Sequence, residues 1–489
     1  MSTVFPWLAD SEALRPVRAR WPVFRQECGE YAMFYAPGCL CVVDVAAAER
    51  FQSTIVLSEA RWEPGSGAWP ERSRTVDWGG ELWRRAELAI AEARRWQEEP
   101  FSPECLTLYM NNECNLDCVY CHSDPSPAPA ARLELAAIAA AAEVVADNCR
   151  RKGRPLYAVF HGGGEPTLHR RRVERALALL DRVASARGVE LFRYVATNGV
   201  MPEEKALWLA RRFDLIGLSC DGPADIQNSQ RPRWGGGGTS HIVERTGHIL
   251  RQEGCRLHVR TTITSATLRR QAEIAAYICQ QFSPEEIHFE PLYIGGKTSA
   301  TDGLLAHQAH DFVVHFLEAR QIAREHGILL MTSGSRPGSI HGPYCHVFRS
   351  VLNLVPGGVA TACFKVTDAT QAKDKEKGVA IGALNSATGR FEIDLSRVQE
   401  LRRRLDVIPA HCADCFNRYH CVRECPDQCP LESDDLCDRS STPEPGFRCQ
   451  MQKALTYATL RETAEALWSV AVEKRGEEDG ANVYGTTIL

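Results

Sequence analysis

The sequence lacks what would place it in a membrane or draw it to a polyanion. In 489 residues the longest apolar stretch, Leu133 to Ala146, is broken by Glu134 and Glu143 and is shorter than the ~20 residues that cross a bilayer. No membrane partner is expected. The opening segment, Met1 to Asp10, has no basic patch followed by an apolar block, so no secretory signal is legible and a cytoplasmic location is expected. The net charge of -5 offers no broad attraction to nucleic acid. No repeat of solenoid length is present, and 44% hydrophobic with 24% charged residues exclude a disordered or collagen-like chain. This length accommodates roughly two to four folding units.

Cysteine, by contrast, is plentiful, with 20 residues. Without an export signal, a reducing compartment disfavours structural disulfides, and clustered thiols there point to metal binding or redox chemistry. Twelve fall between Cys114 and Cys121 or between Cys345 and Cys449. The scattered remainder, Cys28, Cys39, Cys41, Cys105, Cys149, Cys220, Cys255 and Cys279, reads as small core residues.

From Cys105 to Gly296, runs of strand character (Leu106 to Met110, Leu156 to His161, Leu191 to Thr197, Leu215 to Cys220, Arg256 to Thr262, Ile287 to Leu292) alternate with helical stretches. Six strands alternating with helices predict a parallel α/β sheet, open or curled into a partial barrel, with its chemistry beyond the strands' carboxyl ends. Before it, Tyr31 to Val43 reads as a hairpin turning at Pro37-Gly38, with helices at Ala46 to Ser58 and Glu81 to Gln97, a small α+β domain. After it, beyond a helix at His307 to His326, the chain is expected to be poor in long helices, ending in a polar, structureless tail past Lys474.

Directly after the first strand lie Cys114, Cys118 and Cys121, three thiols on one loop. They can converge on a single metal centre, as in cuboidal iron-sulfur sites, and leave one metal position free. With His122 the same loop also fits a zinc knuckle. The second strand ends Phe160-His-Gly-Gly-Gly-Glu-Pro, whose glycines allow close backbone approach and whose Glu165 is an acceptor for an ammonium group. The third ends Thr197-Asn-Gly and the fourth Ser219-Cys-Asp-Gly-Pro.

These four motifs, in this order, resemble the radical S-adenosylmethionine (SAM) superfamily from Cys105 to Pro291. The resemblance implies a partial (β/α)6 barrel. It implies that Cys114, Cys118 and Cys121 hold a 4Fe-4S cluster whose open iron takes the amino and carboxylate groups of SAM. Reductive cleavage would then give a 5'-deoxyadenosyl radical. Tyr120, Gly163, Gly164, Glu165, Thr197, Asn198 and Ser219 are implied cofactor contacts, with Arg260, Glu290 and Gln227 as further candidates for cofactor or substrate.

Farther on, Cys345 and Cys363 flank the turn at Pro356-Gly-Gly, and Cys412, Cys415, Cys421 and Cys425 follow with gaps of two, five and three, ahead of Cys429, Cys437 and Cys449. Spacing does not choose zinc over iron here. The block resembles the SPASM extension of radical enzymes that modify peptides, which implies two auxiliary iron-sulfur clusters. Cys345, Cys363 and Cys425 would hold one; Cys412, Cys415, Cys421 and Cys449 the other. No Cys stands between Ser333 and Tyr344, so the first would have an open iron or be completed by Cys429, Cys437 or another ligand. The expected domains are 1–100 (N-terminal, a candidate leader-peptide element), 101–310 (barrel), 311–340 (bridge), 341–460 (SPASM) and 461–489 (helix and tail).

Auxiliary clusters suit a net two-electron oxidation. The preferred expectation is a maturase that crosslinks side chains of a ribosomal precursor peptide by a carbon-carbon or thioether bond, fed by a flavodoxin or ferredoxin. The rival is an anaerobic sulfatase-maturing enzyme forming formylglycine, with Asp221 as base; Cys220 is a candidate hydrogen donor. A metal-binding redox regulator without turnover is the alternative of another class.

Overall fold

The computed structural model describes residues 14–17, 22–59, 78–125, 130–299, 302–334, 338, 340, 349–373, 378–405, 412–421, 446–474 and 483–487. They fall into two compact units. One comprises Pro100–Ser333 and Cys345–Arg404; the other comprises Met1–Glu99, Gly334–Tyr344 and Leu405–Leu489. The range 341–460 is therefore shared between units.

The first unit is built on eight parallel strands: β1 (Cys105–Leu108), β2 (Leu156–Phe160), β3 (Leu191–Thr197), β4 (Leu215–Ser219), β5 (Leu257–Ile263), β6 (Glu286–Pro291), β7 (Leu329–Met331) and β8 (Val351–Val355). Their order is β7-β6-β5-β4-β3-β2-β1-β8. An antiparallel meander of β9 (Val359–Thr361), β10 (Ala380–Asn385) and β11 (Arg390–Ile393) continues the sheet from β8. The six expected strands are all present, and β7 and β8 extend the parallel set on either side.

Helices α1 (Leu135–Lys152), α2 (Arg170–Ala186), α3 (Glu203–Ala210), α4 (Ala224–Gln230), α5 (Ser240–Gln252), α6 (Gln271–Phe282) and α7 (Ala309–Glu325) connect the strands. The α1 stripe Ile138, Ala141, Ala142, Val145 and Cys149 is buried at helical spacing, and the helix stops where Gly153 takes φ +61. Sequence reading missed α4, seven mostly polar residues without a hydrophobic period.

A doubly covered parallel sheet buries both faces. Here one face is different. Leu257, Val259, Thr261 and Ile263 of β5 are buried, whereas the alternating His258, Arg260 and Thr262 are half-buried; likewise Ile287 and Phe289 of β6 are buried while Glu286 and His288 are not. The polar face is the inner, concave side of a partial barrel. Closure is also read from the loop after β1: its Cys121 carbonyl accepts from Lys297 N at 3.1 Å, beyond the end of β6. In a flat sheet those strands would stand about 24 Å apart, five strand spacings.

In the second unit, strands Arg15–Pro16, Phe24–Cys28, Tyr31–Ala36 and Cys39–Asp44 form an antiparallel meander, and Tyr484–Thr487 adds a fifth strand beside Cys39–Asp44. The central strands are covered twice. Met33, Tyr35, Leu40 and Val42 pack with Tyr457, Leu460 and Trp468 of the helix Phe447–Lys474. Phe34, Cys41 and Val43 pack with Ile55, Leu82 and Trp83 from the helices Ala48–Glu59 and Trp78–Glu98. Two expectations are corrected: the C-terminal helix expected from 461 begins at Phe447 and runs 28 residues, into a stretch read as poor in long helices, and the supposed structureless tail contributes a strand. Among the described residues no helix is long and apolar enough to cross a membrane.

Of the scattered cysteines, Cys39, Cys41, Cys149, Cys220 and Cys279 are buried and Cys28, Cys105 and Cys255 half-buried. Phe289, fully buried on β6, packs edge-on to Phe316 of α7 at 6.4 Å between ring centres. Phe289→Ala is expected to lower unfolding free energy by about 3–5 kcal/mol, read from the denaturant midpoint.

Candidate active site

The loop that leaves β1 is clamped to the glycine turn after β2 as tightly as one strand to another. Gly164 N donates to the Asn111 carbonyl and Glu165 N to the Glu113 carbonyl, both at 2.8 Å. A Cβ on Gly164 would lie 1.8 Å from the Glu113 oxygen, so no other residue fits there. These glycines thus serve close approach of the chain to itself, where sequence reading assigned it to a ligand. Glu113 adds a charge anchor. Burial works to raise its pKa, but hydrogen bonds from Arg132 and His169 hold it down at about 2.

Three further strand ends grip the thiol-bearing segment. Asp117 N and Val119 N donate to the carbonyls of Pro232 and Gln230, and Trp234 Nε1 to that of Cys114. Asn198 Nδ2 donates to Asn115 Oδ1 and reaches Cys114 Sγ at 3.7 Å. Lys297 pairs with Asp117.

Beside Cys121 lies a buried polar network. The Tyr120 hydroxyl donates to Asp221 Oδ2 at 2.6 Å and accepts from Arg231 Nη1 at 2.6 Å. Gln230 Nε2 also donates to Asp221 Oδ2, Thr262 N to Oδ1, and Gln227 Oε1 accepts from Asp221 N. Asp221 is fully buried, which with these donors fits a residue that positions others. Cys220, buried too, directs its thiol to the Gly222 carbonyl at 3.8 Å, and desolvation raises its pKa to about 12.

Glu165 is a second hub. Oε1 accepts from Thr167 N, Thr167 Oγ1 and Thr197 Oγ1, and Oε2 from Asn198 N, joining the ends of β2 and β3. On the inner face Ser219 is in register with Arg260. Arg260 approaches Glu290 Oε1 to 3.9 Å, and Glu290 also meets His288 and Ser333 N.

Two features of this site fit an anionic iron-sulfur cluster, against an opposing one: desolvation, then the Glu165 charge and the neighbouring Cys118 and Cys121, raise Cys114 to about 12, and desolvation raises Cys118, so these thiols keep their protons until a multiply charged metal centre displaces them. Arg231 is a buried cation whose charge acts on Cys118, and its Nε has no partner among the described residues. Asn112 Oδ1 is a buried acceptor without a partner, lying against Gly163. Sequence reading missed Asn112 and Arg231; the only signal was proximity to the thiols. Among the described residues no three His, Cys, Asp or Glu side chains close on one point as the ligands of a single ion do. A cuboid takes each thiolate on a different iron and needs no such convergence.

Of the auxiliary set, Cys345, Cys425, Cys429 and Cys437 lie outside the described residues. Cys363 follows β9, in the first unit. In the second, Cys412, Cys415 and Cys421 lie along a run of successive turns, where Cys415 N donates to the Cys412 carbonyl and Cys421 N to that of Asn417. Cys421 Sγ reaches Gln452 Oε1 at 2.6 Å, one helical turn beyond Cys449.

A loop of three thiols at the carboxyl rim of a curled parallel sheet defines a class: α/β partial-barrel proteins with a thiol-bearing loop at the strand ends. Residues 108–271 match the model of the Radical SAM superfamily, and the chain carries a radical SAM domain. The cysteine-type anaerobic sulfatase-maturating enzyme of Clostridium perfringens is 30% identical over 116 residues, 24% of this chain and 31% of that one. The match thus spans about a third of the length of that relative. Native anSMEcpe with bound AdoMet aligns with TM-score 0.55 and 18% identity over 74% of this chain and 99% of that one. The same protein with AdoMet and the Cp18Cys peptide aligns with TM-score 0.55 and 19% identity, over the same shares of the two chains. At such identities the likeness concerns the fold. The family implies SAM and a 4Fe-4S cluster as cofactors.

Two outcomes test the site. Tyr120→Phe removes one donor and one acceptor from the buried network and is expected to cost about 1–3 kcal/mol of stability, with Asp221→Asn costing more because Arg231 loses its compensating charge; denaturant unfolding reads both. Desolvation, then the Arg260 charge, lowers His161 to about 3, against ~6.5 for an unfolded histidine. Between these values only the unfolded chain takes up the proton, so stability falls as pH drops below about 6.5. In the metal-free chain His161→Gln is expected to flatten that loss, followed as melting temperature against pH.

Proposed function

We propose that this protein is a radical SAM maturase that oxidises side chains of a peptide, joining them through a carbon-carbon or thioether bond. The observation that carries the reading is the three-thiol loop, immobilised at the barrel rim beside a buried cation and an unfilled acceptor. When bound, the cluster and SAM supply a 5'-deoxyadenosyl radical able to take hydrogen from carbon, and auxiliary clusters supply a sink for the second electron.

In this reading Cys114, Cys118 and Cys121 are the cluster ligands. Asn112 Oδ1, lying against Gly163, accepts from the methionine ammonium. Thr197, Asn198 and Ser219 border the nucleoside, and Asp221 acts through Tyr120 and Arg231 by keeping the loop in place. Half-buried Arg260 on the inner face, with its buried neighbour Glu290, meets the substrate. Cys412, Cys415, Cys421 and Cys449 hold one auxiliary cluster, and Cys345, Cys363 and Cys425 belong to the other, with Cys429 available to complete it. A small electron carrier such as flavodoxin or ferredoxin serves as donor.

A peptide substrate is supported by the peptide held in the anSMEcpe structure. Crosslinking is favoured by chain content: roughly a quarter of this chain has no counterpart in that protein, and the second unit includes a β-meander of the kind that takes up extended peptides. The second reading, formation of formylglycine, is supported by the activity named for the Clostridium perfringens relative.

Co-expression with a peptide encoded beside this gene, followed by mass spectrometry, separates the two: a crosslink removes two hydrogens and no product reacts with a hydrazide, whereas formylglycine, two hydrogens lighter than serine or with a cysteine thiol exchanged for an aldehyde oxygen, forms a hydrazone. After anaerobic reconstitution, Cys118→Ala is expected to abolish 5'-deoxyadenosine formation, and Cys415→Ala to retain it while losing product. Undiminished cleavage by Cys118→Ala would remove the cluster assignment, and no cleavage by the unaltered protein would favour a redox regulator.

A further inference from the structure

In the second unit the outer edge of the strand Cys39–Asp44 is filled by the chain itself. Tyr484, Gly485, Thr486 and Thr487 pair antiparallel with Val42, Cys41, Leu40 and Cys39. An open sheet edge with unpaired amides and carbonyls is a template for an added strand, and this short strand covers one.

The seat has a side-chain pattern of its own. Val483 packs against the core that holds Phe34, Cys41 and Trp83, and Tyr484 against the core that holds Tyr35, Leu40 and Tyr457, on opposite faces of the sheet. Between these contacts Gly485 passes under the Trp78 indole so closely that a Cβ would lie 2.4 Å from a ring carbon. The edge therefore demands glycine at one register, preceded by an aromatic and an apolar residue. The occupant is less buried than its neighbours. Residues 483–486 are all half-buried, whereas Cys39 to Val42 and Tyr31 to Ala36 are buried throughout. Its backbone pairs with four residues of one strand only.

We propose that Tyr484–Thr487 is a built-in, displaceable occupant of a peptide-docking edge, and that the Cys39–Asp44 edge takes, in its place, an extended segment of the substrate peptide carrying the same apolar–aromatic–glycine–threonine order. The backbone ladder supplies attraction that any strand can make, and Trp78 over the glycine supplies selectivity. Because the edge is filled until the resident strand leaves, a weak or mispatterned peptide does not dock. The inference rests on the peptide-substrate reading only for the source of the incoming segment.

The probe is the capped peptide Val-Tyr-Gly-Thr-Thr, added to the full chain. Saturating peptide is expected to speed amide hydrogen exchange across 484–487 by about tenfold or more, while Cys39 to Val42 stay protected because one strand replaces another. Gly485→Val drives the resident strand out, and since self-occupancy divides apparent affinity by the empty fraction, this variant is expected to bind the labelled peptide about tenfold more tightly than the unaltered protein. A peptide with valine in place of glycine should bind neither. Unchanged exchange at saturating peptide overturns the proposal, and so does a Gly485→Val chain that pairs its strands between two copies, seen as a dimer by size exclusion. If that variant fails to fold, exchange in the unaltered protein decides. Formation of 5'-deoxyadenosine in the same samples reports on the barrel chemistry separately, so failure of the docking edge and failure of the radical SAM reading are told apart.

Discussion

Everything at the barrel rim depends on how closely the loop after β1 lies against the turn after β2. Backbone bonds from Gly164 and Glu165 reach the carbonyls of Asn111 and Glu113, and they form only because position 164 has no side chain. A loop bearing three ligands has no regular structure of its own to fix where they point. The clamp to β2, the bonds to the carbonyls of Gln230 and Pro232 past β4, and the bond from Lys297 N past β6 replace that missing regularity. Ligand geometry is thus set by the barrel's strand order rather than by the loop's composition.

Buried charge reinforces the same arrangement. Asp221 and Arg231 lie beneath the loop and meet through one phenol, Tyr120. Removing either charge leaves the other desolvated, so the network resists rearrangement even where its net contribution to stability is small. The concave face contrasts with the helix-covered one. It presents His258, Arg260, His288 and Glu290 along β5 and β6, a polar lining where an ordinary parallel sheet would carry aliphatic side chains. A face of that kind suits a substrate with polar groups.

Much of this was legible beforehand. The β2 to β6 runs announced themselves as apolar stretches bounded by polar turns, and each chemical motif stands at the strand end to which it was assigned. The elements that escaped did so for specific reasons. Helix α4 is short and polar, with no period to detect. Of the helix Phe447–Lys474 only the part beyond 460 was expected, because its buried stripe, Met451, Leu455, Ala458 and Ala464, begins directly after a cysteine- and proline-rich stretch that reads as loop. Tyr484–Thr487 has no hydrophobic alternation to mark it, and becomes a strand because an edge is there to receive it. Asn112 and Arg231 escaped because an unpaired buried atom is a property of packing and has no sequence signature.

Local chemistry alone determined which residues can ligate, cap or turn: thiols at positions 114, 118 and 121, glycines at 162 to 164, and apolar runs long enough for strands. These follow from residue type and spacing, which the chain carries in any conformation. Tertiary structure alone decided that the glycine turn receives the chain's own backbone, that Asp221 and Arg231 are buried around one hydroxyl, and that a sheet edge near the start of the chain is closed by a strand more than four hundred residues later. Such pairings join groups far apart in sequence, and their energies arise from burial and mutual contact, which exist only once the chain has folded.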